Sequence, residues 1–224
     1  IPGRRPFRSA MSARFKPPDP TARFPLRDLV RFGPDGERFW QQVRRAQAAF
    51  LDRYLPFNIA IALLNGVLLV ALFAGRLPAP VVGWLFLSHA TAVVLGMRRR
   101  RSGQGEGPSR RTMWAILGNL ALVGSGWGIA FHAALGLATP AEVTLLVAMA
   151  FAALGCMAFS TAVWPLGSLA MWGLVAAGVV SGLFLHRLAE AWPVTLVLGS
   201  FLVFMGRGTL VTTRASLARL RLQE

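Results

Sequence analysis

Acidic residues, histidines and cysteines are scarce in this chain: nine Asp plus Glu, three His and one Cys among 224 residues. With Cys156 alone no intrachain disulfide can form, and CxxC metal or redox motifs are excluded. So few acids and histidines leave little material for a soluble catalytic centre, and no Gly-rich phosphate loop, HExxH or GxSxG is present. No catalytic residue, metal site or cofactor is expected, and the chain as given reads as non-enzymatic. An apolar signal-peptide core before Tyr54 is also missing.

What is abundant is apolar: 54% of the residues, against 15% charged, a composition suited to lipid rather than water. The 24 Lys plus Arg give a formal charge of +15, which fits either nucleic acid or an anionic membrane surface. Position separates the two. Twenty-two of the 24 basic residues lie before Tyr54, between Arg98 and Arg111, or from Arg207 onward, outside the long apolar runs. That is a topology signal; the expected partner is a bilayer with anionic lipids, not nucleic acid.

A hydrocarbon core needs about 20 apolar residues per helix, and six stretches reach that length: about 55 to 74, 79 to 97, 114 to 136, 141 to 163, 166 to 185 and 193 to 212. An all-α polytopic membrane protein follows, its six-helix domain covering 54–212. Only Arg76 and Arg187 fall on the other side, so the positive-inside rule places both termini and the Arg98 to Arg111 loop in the cytoplasm. Trp84, Trp114, Trp164 and Trp192 sit near span ends, where an indole prefers to be.

Residues 1–34 hold six prolines before Pro34 and frequent Arg, as expected of a disordered cytoplasmic arm. Because the sequence begins with Ile1 and Met11 opens a plausible reading frame, residues 1–10 are expected to be upstream sequence or a remnant. Over 35–53, Phe39, Val43, Ala46 and Phe50 recur at helical spacing, which predicts an amphipathic helix, either interfacial or a solvated lead-in to the first span. At the other end, 213–224 reads as the start of a cytoplasmic helix. Neither Gly nor Pro interrupts the chain after Thr209, and Leu210, Leu217 and Leu220 recur at a rough heptad spacing suited to a symmetry mate.

Polar residues inside the spans are the candidate sensory or ligand-contacting groups: His89, His132, Asn58, Asn65 and Asn119. Asn58 and Asn65 are seven apart and share one helix face. His89 and His132 differ in depth by roughly 7 Å, awkward for shared ligation of a metal, so interhelical hydrogen bonding with Asn119, Ser125 or Ser88 is the expected role. Gly124 and Gly128 form one small-xxx-small pair and Gly178 and Gly182 another, expected to serve helix packing. Intramembrane Asp and Glu are missing, which removes the carrier for an acid-driven proton relay.

Several stretches together resemble the six-span N-terminal input regions of bacterial signalling proteins, whose outputs are GGDEF diguanylate cyclases, often with EAL phosphodiesterases, or hybrid histidine kinases. They are Arg38 to Gln47, Tyr54 to Gly66, Pro78 to Leu85, the Arg98 to Arg101 run, Gly124 to Gly128 and Ser216 to Glu224. The resemblance covers about residues 38–224 and implies a sensory module. Such a module does no chemistry; it biases a helix pair in a homodimer and thereby an output domain in the same polypeptide, most simply a diguanylate cyclase. The other class left open is a small transporter or a non-catalytic subunit of a membrane complex.

Overall fold

The computed structural model describes residues 37–101 and 108–222. Six helices make up nearly all of it: α1 (Arg38–Leu72), α2 (Ala79–Arg101), α3 (Arg110–Leu137), α4 (Pro140–Thr161), α5 (Pro165–His186) and α6 (Leu188–Leu222). Each is long and apolar enough to cross a membrane, so the protein is an all-α, multi-pass helical bundle. The arm expected over 1–34 lies outside the described residues.

Local chemistry sets the boundaries. The Ser109 hydroxyl accepts the Thr112 N–H at 3.2 Å and opens α3. Thr139 and Glu142 form a reciprocal capping box at the start of α4, with Pro140 in the first turn. Pro165 likewise opens α5. Between α1 and α2 the chain reverses through Gly75 at φ 72°, a left-handed conformation that favours glycine.

Residues 38–53 are not a separate interfacial helix. They are the first half of α1, which runs unbroken through Pro56 and buries Val43, Arg44, Gln47, Ala48 and Leu51 against the rest of the chain. In the same way, 213–222 simply continues α6. At 1.5 Å per residue α1 and α6 are each about 50 Å long, roughly 20 Å more than a hydrocarbon core requires. The surplus of both lies at one end of the bundle, the basic end, with Arg98 and Arg110 at the α2–α3 connection.

Helices α3 and α5 meet along a glycine seam. Gly124 and Gly128 lie against the backbone of Met171 and Leu174, and Gly178 against Gly128 itself. A Cβ at Gly124 would stand 2.7 Å from the Met171 carbonyl oxygen, and one at Gly182 3.1 Å from the Cα of His132. The two small-residue pairs are thus the two sides of one contact, close enough that only glycine fits. Trp127, Phe131, Leu135, Val175 and Leu183 complete the fully buried core around it.

Around this centre α2 flanks α3, α6 flanks α5, and α1 rests on α2 and α4. At the basic end the surplus of α1 clasps that of α6. Val43 and Leu217 bury each other, with Phe39, Trp40, Leu210 and Leu220 packed about them. The Arg221 guanidinium lies 5.4 Å over the Phe39 ring. The face of Leu210, Leu217 and Leu220 expected to meet a symmetry mate is therefore covered within the chain, because α1 brings its own apolar stripe to the same end.

Candidate functional site

Because α1 leans on α2 and α4 while α3 leans on α5, a cavity of about 200 Å³ remains between the first four helices. Most of its wall is aliphatic, from residues such as Leu55, Ile59, Ala92, Ile116 and Val123, with Met171 of α5 behind. Into this apolar lining the structure brings Asn58 and Asn65 from α1, His89 from α2 and Asn119 from α3. Four of the five intramembrane polar candidates thus share one space, although they come from three helices.

Asn119 carries the sharpest signal. Its side-chain Oδ1 is buried and has no hydrogen-bond partner. An amide oxygen left so costs about 1–3 kcal/mol, and in a membrane interior no bulk water relieves it. The amides of Asn58 and Asn65 add donors and acceptors along the opposite wall.

His89 has less to offer a ligand, since its ring is already committed. The Trp127 Nε1–H can only donate, so His89 Nε2 at 3.0 Å is its acceptor. The proton is thereby assigned to Nδ1, which donates to the Leu85 carbonyl at 2.7 Å. The ring fixes Trp127, which forms part of the cavity wall, and meets it edge-on.

Toward the basic end the cavity is closed by a charge pair that sequence reasoning did not single out. Arg99 Nε donates to Asp52 Oδ2 at 3.2 Å, and Nη2 pairs with Oδ1. Asp52 belongs to α1 and Arg99 to α2, so the pair staples the two helices below the amides. Asp52 is the one acid between Arg38 and Arg101, a signal hidden by the surrounding arginines. Nearby, the Arg44 Nε donates to the Pro108 carbonyl at 2.8 Å and the Gln47 amide to the Val163 carbonyl at 3.2 Å, tying α1 to two connections at the same end.

His132 lies elsewhere and does not meet His89. The Ser181 hydroxyl donates to the Gly178 carbonyl at 3.1 Å and accepts from His132 Nδ1 at 2.9 Å. The His132 ring also meets that of His186, centroids 5.7 Å apart. This is an α3–α5 contact beside the glycine seam. At the end opposite the arginine-rich one, Arg76 donates to Glu142 from both terminal guanidinium nitrogens, Nη1 at 3.3 Å, and the carboxylate raises the Arg76 pKa above its ordinary value.

Among the described residues no group of three His, Cys, Asp or Glu is placed to hold a metal. The cavity offers the amides of Asn58, Asn65 and Asn119, the hydroxyl-bearing Thr112 and Ser160, the Cys156 thiol and the Arg99 side chain among apolar walls, an arrangement suited to holding a molecule. The chain matches no protein-family model, and neither a curated protein nor a solved structure shows significant similarity to it.

Proposed function

We propose that the protein is a membrane-embedded sensory input module, with both termini and the α2–α3 connection in the cytoplasm of a bacterial inner membrane. The observation that carries this reading is the double role of α1. One continuous helix contributes Asn58 and Asn65 to the cavity and Val43 to the clasp on α6. A shift of α1 driven by cavity contents would be felt where α6 leaves the apolar belt, and α6 would carry it to a cytoplasmic output. Pro56 sits between the two stations and withholds the N–H that would bond the Asp52 carbonyl, a natural place for the helix to flex. The basic residues at one end favour the stated orientation by their imbalance.

Spin labels test the coupling. With Cys156→Ala as background, labels at positions 49 and 215, both exposed, report the α1–α6 separation in nanodiscs. Filling the cavity with Ala92→Phe is expected to displace the distance distribution by about 2 Å, the scale of helix shifts in switching proteins. A distribution unchanged by the filling would remove the mechanism.

A further inference from the structure

We infer that the cavity is a binding site for an uncharged, membrane-partitioning small molecule that carries at least one hydrogen-bond donor and reaches its site laterally from the bilayer. This deepens the sensory reading above by naming the ligand class, and it rests on that reading only for its signalling consequence.

The route of access follows from exposure along the lining. Nearly every residue around the cavity is buried or half-buried; Leu95 of α2 and Ala115 of α3 line it and are also exposed on the flank of the bundle. Leu95 is 45% exposed. The mouth therefore lies between α2 and α3. Those helices touch closely further along, where a Cβ at Gly126 would stand 3.5 Å from the Leu85 Cα. Leu95 lies three residues before Arg98 and Ala115 four after Arg111, so the mouth opens at the arginine-rich margin of the apolar belt, where a molecule dissolved in the bilayer can enter from the side.

The interior sets the size and polarity. An apolar cavity of about 150 Å³ accommodates benzene; about 200 Å³ suits a bicyclic body. Asn119, Asn58 and Asn65 line the cavity and their amides accept or donate as required, the Asn119 Oδ1 having no partner within the chain. Charge on the ligand is disfavoured because the nearest ions, Asp52 and Arg99, already neutralise each other, leaving no counter-charge for a desolvated anion or cation. His89, with both nitrogens engaged, contributes shape rather than a hydrogen bond.

Indole and indene make the decisive pair of probes: they share size and shape, and indole alone has an N–H. The whole chain is placed in nanodiscs, and equilibrium dialysis against empty nanodiscs corrects for lipid partition. Indole is expected to bind saturably at one per chain and indene about tenfold more weakly, the scale of one net hydrogen bond. Benzoate, an anion of similar size, should not compete. Asn119→Leu should lower indole to the indene level, and Ala92→Phe should abolish binding of both while the protein remains monodisperse. Uptake no greater than in empty nanodiscs, equal binding of indole and indene, or wild-type binding in Ala92→Phe would each overturn the assignment. Failure of the two readings can be told apart. Saturable binding with an unmoved 49–215 distance defeats the signalling role alone, whereas a distance moved by Ala92→Phe without any indole binding defeats the ligand class alone.

Discussion

At the residue scale, a few side chains decide what their neighbours can do. Gly178 is one: a Cβ there would overlap the carbonyl of Gly128 across the α3–α5 seam, whereas one at Gly173 would meet nothing within 4 Å. Both glycines sit in α5, so Gly→Ala improves helix propensity equally at either position. The difference isolates the seam. Gly178→Ala is expected to destabilise the protein by about 1–3 kcal/mol through overpacking, and Gly173→Ala to be neutral or stabilising. Thermal unfolding of the two variants in the same detergent checks this; equal midpoints would mean that α3 and α5 are not held by the seam. His89 decides in another way, since accepting from Trp127 consumes the nitrogen a ligand would otherwise find.

At the scale of elements, α1 and α6 behave as a pair because each is longer than a membrane needs and both surpluses fall at one end. Isolated, the 38–53 stretch would be a marginal helix in water. Its stability comes from Val43 and Leu217 with the aromatic rings of Phe39 and Trp40, and from Arg44 and Gln47 bonded to distant carbonyls. The two surpluses should open together. Val43→Asp, which sets a carboxylate against Leu217, is expected to raise amide hydrogen exchange in 39–50 and in 210–220 alike, with exchange in the α3–α5 seam unchanged. Acceleration confined to α1 would show that α6 stands on its own there.

At the scale of the whole molecule, the unequal split of basic residues between the two ends of the bundle makes the proposed orientation testable. Arg76 and Arg187 sit at one end of the bundle; the basic surplus collects at the other. Single cysteines at Ala74 and Ala215, both exposed, introduced into Cys156→Ala, should label from opposite sides of the cell membrane, Ala74 from outside and Ala215 only after permeabilisation. Labelling of both from one side would overturn the six-span orientation. The central helices α3, α4 and α5 are about half-buried along their spans, while α1, α2 and α6 lie at the flanks of the bundle. A ligand held between α1 and α3, as proposed above, would press on the less buried α1 from one side.

Much of this was legible in the residues themselves. Six apolar runs separated by turn residues and arginines determined six helices, since apolar length and charge act locally and need no partner. The Asn58 and Asn65 face could be read from a spacing of seven, and the need for close packing at Gly124, Gly128, Gly178 and Gly182 from residue size. Partnerships were not legible. Whether two glycine pairs bind two surfaces or each other, whether Leu217 meets a second chain or Val43, whether His89 faces His132 or Trp127, and whether Asp52 and Arg99 belong together are all questions of which helix lies beside which. Helix order in a bundle is set by the sum of many contacts between sequence-distant residues, so only the tertiary structure decided them, and with them the cavity that no single helix contains.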